Sequence, residues 1–129
     1  MITCGNTFLI EDEDGYDCHL CIVITPPTYG EVVIVSITTE RGRSEMLVRL
    51  QKGDHPFLEY PSVISYAYSR VTTVEEIETA VKSGTAIPRA DASGKLLKRA
   101  QDGLIESDRT PNWVKLRYKE IMAANTSFS

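Results

Sequence analysis

Short apolar runs separated by turn residues dominate the first half of the chain. Residues 20–25 and 31–38 show little alternation between apolar and polar positions, which is typical of strands buried on both faces of a sheet. Residues 62–71 do alternate, and this pattern places Tyr66, Tyr68 and Arg70 on one face of a further strand. Two shorter strands are predicted over residues 7–10 and 45–50.

After residue 73 the apolar positions recur with the period of a helix. Thr73 followed by Glu76 matches a capping box, and Gly84 suits the end of a helix that runs through about residue 82. A second helix is predicted over residues 93–104.

A third helix is predicted to begin at Thr110 and Pro111, because proline fits the first helical position. Its expected apolar positions are Trp113, Leu116 or Arg117, Ile121 and Met122. Strands followed by segregated helices predict an α+β fold. We expect one domain over residues 1–129, with a small antiparallel β-barrel core in 1–73 and a helical extension in 74–129.

Length and composition fit this picture. The chain has 129 residues, of which 42% are apolar and 25% charged, as in an ordinary globular domain. The first residues carry neither the basic nor the apolar region of a signal peptide, and the longest apolar runs are far shorter than a membrane span. The expectation is therefore a cytoplasmic protein that does not enter a membrane.

Cysteine content and charge narrow the function classes. Three cysteines are an odd number, which disfavours a secreted scaffold held by disulfides. The net charge of −4 disfavours a protein that coats nucleic acid, although an enzyme acting on RNA depends on local charge. Acidic residues cluster in 11–17, whereas 95–119 holds seven Lys or Arg against three Asp or Glu.

His19 and His55 are the only histidines, and each is predicted where a strand meets a loop. A pair of imidazoles is suited to acid–base chemistry near neutral pH, such as cleavage of RNA without a metal. In that reaction one ring removes a proton from the 2′-hydroxyl and the other protonates the leaving 5′-oxygen. The alternative is that both are ordinary histidines that cap turns or face solvent.

Phosphate contacts are predicted for Arg41, Arg43 and Arg70, because a guanidinium matches the geometry of phosphate. Thr38 and Thr39 end the most apolar strand and place hydroxyl groups beside the first two arginines. The alternative for these threonines is a strand end before a solvated turn.

Tyr66 and Tyr68 share a predicted face with Arg70 and are candidates for stacking on RNA bases. The alternative is that both belong to the core under the helices. The basic residues of the last two helices form either a phosphate-attracting stripe or a solvated face; they are Lys95, Lys98, Arg99, Lys115, Arg117 and Lys119.

Cys18 and Cys21 have the spacing of a metal or redox motif. A zinc site needs four ligands, and only Cys4 and a histidine remain to complete one. In a strand the two cysteines point to opposite faces, and no predicted helix follows them as in a thioredoxin-like motif. We therefore expect no metal and no cofactor. The sequence also lacks the glycine-rich and metalloprotease motifs of nucleotide hydrolases and zinc proteases.

The order of these segments in the first 78 residues resembles the PemK/MazF toxin family. The similarity consists of a glycine and short strand at 5–10, an apolar strand at 19–25, the V-V-I-V-S-I-T-T strand at 32–39, and the passage from Arg70 into a helix that contains Glu75. The resemblance implies an SH3-like barrel, a metal-independent endoribonuclease, a homodimer and a cognate antitoxin.

The family pattern carries over only in part. Thr38, and with less support Thr39, matches the hydroxyl that ends the third strand. His19 stands where the family commonly has an arginine, and Leu20 stands where it has a proline. The expected catalytic residues are thus His19, His55 and Thr38, and the expected RNA contacts are Thr39, Arg41, Arg43, Tyr66 and Arg70. The alternative function is a non-catalytic module on the same barrel that docks a protein partner.

Overall fold

A computed structural model describes residues 1–11 and 18–126 of the chain. The strands are β1 (Thr7–Glu11), β2 (Cys18–Val23), β3 (Glu31–Thr39), β4 (Arg49–Leu50), β5 (Ser62–Thr73) and β6 (Ala86–Arg89). The helices are α1 (Val74–Ser83), α2 (Gly94–Glu106) and α3 (Asn112–Thr126). The predicted α+β class is confirmed.

The strands form one curled antiparallel sheet in the order β4-β5-β3-β2-β1-β6. The two strands with continuous apolar sequence, β2 and β3, lie inside the sheet, as their pattern indicates. Strand β6 lies at one edge and was not predicted. It contains Pro88, and a residue without an N–H group is confined to edge positions of a sheet. The segment after residue 74 therefore contributes a strand as well as the helices.

One face of the sheet packs against α2 and α3, and we call it the helix-pair face. Leu20, Ile22, Val33, Val35 and Ile37 lie on this face and are buried. The helices add Leu96, Ala100 and Leu104 from α2 and Val114, Tyr118 and Ile121 from α3. The main core of the protein therefore lies between this face and the last two helices.

The opposite face packs against α1, and we call it the α1 face. Phe8, Val32 and Ile34 of the sheet form a second buried cluster with Ile77 of the helix. The predicted cap of α1 is present, since the Thr73 hydroxyl accepts a hydrogen bond from the Glu76 N–H at 3.0 Å. The Glu76 carboxylate does not complete a capping box, because it accepts a hydrogen bond from the Thr72 hydroxyl at 2.7 Å.

Strand β5 does not keep the regular alternation that its sequence predicts. Ser65 pairs with Ser36 and Arg70 pairs with Ile34, so residues 66–69 oppose a single residue of β3. Such a bulge bends the strand and turns side chains away from their regular direction. The prediction that Tyr66 and Tyr68 share an environment is therefore wrong: Tyr66 is fully buried, whereas Tyr68 is 74% exposed.

Strand β4 is shorter than the predicted 45–50, and only Arg49 and Leu50 pair with β5. Residue Glu45 is held elsewhere, because its carboxylate accepts a hydrogen bond from the Ser107 hydroxyl at 2.6 Å. Ser107 follows α2, so this contact draws the start of the predicted strand toward the connection between the last two helices.

Helix α3 starts near the predicted position, and its apolar positions agree with the prediction in part. Ile121 is buried as predicted and Met122 packs against the main core, but Val114 and Tyr118 are buried where Trp113 and Leu116 are exposed. The Thr110 hydroxyl does not cap α3, because it donates to the Leu104 carbonyl at 2.8 Å. Within the described part of the chain, no helix has the length and apolar character needed to cross a membrane.

Candidate functional site

His19 of β2 and Thr38 of β3 lie at one end of the α1 face. Leu20 pairs with Ile37 across β2 and β3 in antiparallel register. Both His19 and Thr38 are partly exposed. The imidazole and the hydroxyl that the sequence singles out therefore lie at the same end of the α1 face, each one residue past the Leu20–Ile37 pair.

A second row, formed by Cys21, Ser36 and Ser65, lies beside His19 and Thr38 on the same face. We call these two sets of side chains the polar rows. Cys21 pairs with Ser36, and their side chains are in contact, with the sulfur 3.6 Å from the hydroxyl oxygen. Ser36 in turn pairs with Ser65 of β5. Ser36 and Ser65 are partly exposed, whereas Cys21 is buried. An imidazole and three hydroxyl groups thus share one end of a face whose other end is apolar and covered by α1.

Arg70 is a predicted phosphate contact that lies on this face. It pairs with Ile34, the next residue of β3 on the α1 face after Ser36. Its side chain is exposed, and it forms no ion pair with any described residue. The guanidinium is therefore available to an anion that approaches the polar rows.

A hollow of about 120 Å³ separates this part of the sheet from α1. Phe8, Ile10 and Ile34 line it from the sheet, and Ile77 lines it from the helix. Arg70, Thr72 and Glu76 supply its polar side. Because Ile10 pairs directly with His19, the hollow lies next to the polar rows.

His55, the second predicted acid–base residue, has a structural environment. Its side chain is 2% exposed. Nε2 lies 2.6 Å from the Ala90 carbonyl oxygen, and Nδ1 accepts a hydrogen bond from the Phe57 N–H at 3.0 Å. These partners fit a neutral imidazole that donates from Nε2 and accepts at Nδ1. Both ring nitrogens are thus engaged with the main chain, as expected for a buried polar group.

The structure does not bring His19 and His55 together. His55 contacts the Thr7 hydroxyl, with Nε2 and Oγ1 3.5 Å apart, and Thr7 pairs with Ile22 on the helix-pair face. His19 pairs with Ile10 on the α1 face. Thr7 and Ile10 are three residues apart, or about 10 Å along a strand. The expectation of two cooperating imidazoles is therefore not met, and His55 is no longer a candidate for catalysis.

Tyr66 is also removed from the candidate RNA contacts. Its hydroxyl donates to the Ala100 carbonyl of α2 at 2.9 Å, and its side chain lies wholly within the main core. Burial, followed by the nearby charge of Glu45, raises the pKa of this phenol above the usual range. A side chain without accessible surface cannot stack on a base, so the alternative of a core tyrosine is the correct one.

Thr39, Arg41 and Arg43 lie past the polar rows. Thr39 pairs with Ser62 and, by strand alternation, points away from the α1 face. Arg41 and Arg43 are exposed in the loop that follows β3. They lie at the same end of the sheet as His19 and Thr38, and we retain them as outer contacts for an anion.

The basic residues of the helices have mixed surroundings. Arg117 of α3 forms an ion pair with Glu31 at the start of β3, and Arg99 of α2 donates to the Arg49 carbonyl at 2.6 Å. Lys98 pairs with Asp102 one turn along its own helix. Arg117 and Arg99 thus link their helices to the sheet, which favours a structural role over a phosphate-attracting stripe for these two residues.

The described residues contain no group of three or more metal-ligating side chains. The side chain of Cys18 and the acidic segment 12–17 lie outside the described residues, so the spacing argument for the cysteines is untested. Burial raises the pKa of the Cys4 thiol, which disfavours the reactive thiolate.

Two larger hollows lie elsewhere on the surface. One of about 430 Å³ is formed by the chain start, α1 and β6, and includes Ile2, Lys82 and Arg89. The other, of about 580 Å³, runs along α1 and is lined by Thr73, Glu75 and their neighbours. Neither is lined by the imidazole or the hydroxyl groups of the polar rows.

Sequence reasoning assigned no functional role to Ser36, Ser65 or Glu76. A signal was present for Ser36, because it is a polar residue two positions before Thr38 in an otherwise apolar strand, and residues two apart share a face. The position of Glu76 beside Arg70 depends on how α1 packs on the sheet, which the sequence pattern does not specify. Comparison with known proteins adds no relative, since neither a family model nor a curated protein matches the chain.

Proposed function

We propose that the protein is a metal-independent endoribonuclease that acts on single-stranded RNA at the polar rows of the α1 face. His19 is the proton-transfer group, Thr38 contacts the scissile phosphate, and Arg41 or Arg43 of the following loop supplies a guanidinium to that phosphate. The observation that carries this proposal is the placement of His19 and Thr38 on a partly exposed surface at one end of the α1 face, each one residue past the Leu20–Ile37 pair.

The chemistry needs one base and a set of donors to phosphate. Neutral His19 accepts the proton of the ribose 2′-hydroxyl, whose oxygen attacks phosphorus. The bond from phosphorus to the 5′-oxygen breaks, which leaves a 2′,3′-cyclic phosphate. The departing 5′-oxygen takes a proton from water, and His19 releases its own proton to solvent. Hydroxyl donors and a guanidinium stabilise the charge that develops on the phosphate oxygens.

The finer fold and the partners in this proposal come from the resemblance to the PemK/MazF family. The curled antiparallel sheet is consistent with an SH3-like barrel. A homodimer and an antitoxin that blocks the RNA surface complete the proposal, and a cytoplasmic location follows from its substrate.

A second candidate is a non-catalytic module that docks a protein partner. It is favoured by the burial of His55, which leaves His19 as the only imidazole on the polar rows. Many acid–base ribonucleases need a second proton donor, and a lone histidine also suits a polar docking surface.

Product analysis distinguishes the two candidates. A mixed-sequence RNA is incubated with the protein in EDTA, beside the same strand with 2′-deoxyribose throughout. The ribonuclease proposal requires RNA fragments with 5′-hydroxyl and 2′,3′-cyclic phosphate ends and an intact deoxyribose strand. Cleavage of both strands contradicts attack by the 2′-hydroxyl, and intact RNA at high protein concentration favours the docking module.

A further inference from the structure

The hollow between the sheet and α1 has the size of a single ring system. Ligand pockets that enclose a drug-sized molecule measure about 300–1,000 Å³. The hollow measures about 120 Å³, which is too small for a whole nucleotide but admits one base. Its sheet side and its helix side are both apolar, with Ile34 on the former and Ile77 and Ala80 on the latter. An apolar slot of this kind accepts the faces of a flat aromatic ring.

Two opposite charges line the same hollow. The first is the guanidinium of Arg70, which has no ion pair within the described chain. The second is the carboxylate of Glu76, whose Oε2 is held by the Thr72 hydroxyl at 2.7 Å. Oε1 of Glu76 has no hydrogen-bond partner among the described residues. The hollow thus offers one fork of donors and one oriented acceptor, and the two charges do not neutralise each other by direct contact.

We propose that this hollow binds a guanine base of the RNA, with Arg70 and Glu76 reading its edge. Guanine presents two neighbouring acceptors, O6 and N7, that match the fork of an arginine. Its N1–H and N2 amino groups are neighbouring donors that match a carboxylate. Adenine, cytosine and uracil lack this combination of a paired acceptor edge and a paired donor edge. The charges on the page therefore favour guanine among the four bases.

The position of the hollow gives this base a place in the reaction. Cys21 lines the hollow and lies two residues after His19 on the same face, a separation of about 7 Å along a strand. That distance is close to the spacing of neighbouring nucleotides in an extended strand. A guanine in the hollow would thus place an adjoining phosphate at the polar rows. This inference rests on the proposed function for its RNA context, but the binding of the base is independent of cleavage.

The test uses guanosine 5′-monophosphate as the probe and the purified full chain. Backbone amide shifts are followed by NMR during titration with each of the four ribonucleoside monophosphates. We expect roughly millimolar affinity for the guanine nucleotide and at least about 10-fold weaker binding of the others. The shifts should centre on the residues that line the hollow. Equal binding of all four nucleotides, or no binding up to the solubility limit, overturns the inference.

Two variants provide a matched comparison. Glu76→Gln keeps an acceptor for Thr72 but replaces a charged oxygen by an amide, and should weaken guanine nucleotide binding roughly 10-fold. Glu75→Gln changes the neighbouring exposed carboxylate, which does not line the hollow, and should leave the affinity unchanged. Equal effects of the two substitutions would contradict the assignment. Selective binding of the guanine nucleotide without RNA cleavage would support the guanine site and contradict the ribonuclease proposal. RNA cleavage without guanine selectivity would support the ribonuclease proposal and contradict the guanine site.

Discussion

Nε2 of His55 lies 2.6 Å from the carbonyl oxygen of Ala90, and this contact joins the loop after β4 to the residue that follows β6. The same carbonyl accepts a hydrogen bond from the Thr7 hydroxyl at 2.7 Å. Leu58 of the same loop belongs to the main core. The histidine therefore fixes a loop that covers one end of the sheet, and its role is to stabilise the fold.

Replacing His55 by alanine should lower the free energy of unfolding by about 2–3 kcal/mol. The substitution leaves the N–H of Phe57 without its ring acceptor and opens a cavity beside Ala90. Urea denaturation measures the loss. Cleavage per folded molecule should be unchanged, and a large loss of activity in fully folded His55→Ala would return this residue to the mechanism.

Gly103 should not tolerate a side chain. A Cβ atom at this position would lie 2.1 Å from the Tyr66 hydroxyl and 2.8 Å from Val48, inside a packed core. We expect Gly103→Ala to lower stability by about 1–3 kcal/mol, as overpacking usually does. The matched control is Gly94→Ala in the same helix, where nothing lies within 4 Å of the added atom. Stability is compared by thermal denaturation. If Gly103→Ala and Gly94→Ala both unfold at the midpoint temperature of the wild type, the close packing of α2 on Tyr66 is contradicted.

The buried phenol of Tyr66 predicts a loss of stability at alkaline pH. Because its pKa is raised in the folded state, the unfolded chain loses this proton first as the pH rises. Above the usual tyrosine pKa of about 10, the folded state binds more protons than the unfolded state, so stability falls. Below that pH the group contributes no pH dependence.

Tyr66→Phe removes this ionisation and the hydrogen bond to Ala100. We expect the variant to be less stable by about 1 kcal/mol at neutral pH and to lose less stability than the wild type at alkaline pH. Tyr118, whose pKa is also raised by burial, is present in both proteins and cancels in the comparison. The free energy of unfolding of both proteins is measured by urea denaturation at several alkaline pH values. Equal decreases in the wild type and in Tyr66→Phe would show that Tyr66 does not titrate as described.

Thr38 and Thr39 form a matched pair for the RNA surface. Thr38 lies on the α1 face at the same end as His19, and Thr39 is directed to the other face by strand alternation. Thr38→Val should lower the cleavage rate roughly 10-fold or more, because a donor to the phosphate is lost. Thr39→Val should leave the rate within about twofold. Equal rates for both variants, measured on one oligonucleotide, would remove Thr38 from the site.

Much of the fold follows from local sequence patterns. The continuous apolar residues of β2 and β3 indicate inner strands, and Thr73 and Gly84 indicate the ends of α1. Strand β6 escapes such reasoning, since four residues that include Pro88 carry no strand signal of their own. It forms because β1 offers it an edge with which to pair.

The candidate site was predictable in its residue types but not in its grouping. His19 and His55 have similar sequence surroundings, and only the closure of the loop over Thr7 separates a buried ring from a partly exposed one. The bulge in β5 likewise separates Tyr66 from Tyr68, although both fit one alternating pattern. Long-range contacts decide these cases, and no local signal reports them.

The most direct test of the account is the rate at which one single-stranded RNA is cleaved in EDTA by the wild type and by His19→Ala. If His19 is the base, the variant should be slower by roughly 10²–10⁴-fold while its circular dichroism spectrum and thermal transition show a folded protein. A folded His19→Ala protein that cleaves at the wild-type rate would contradict the central claim and separate the polar rows from any catalysis.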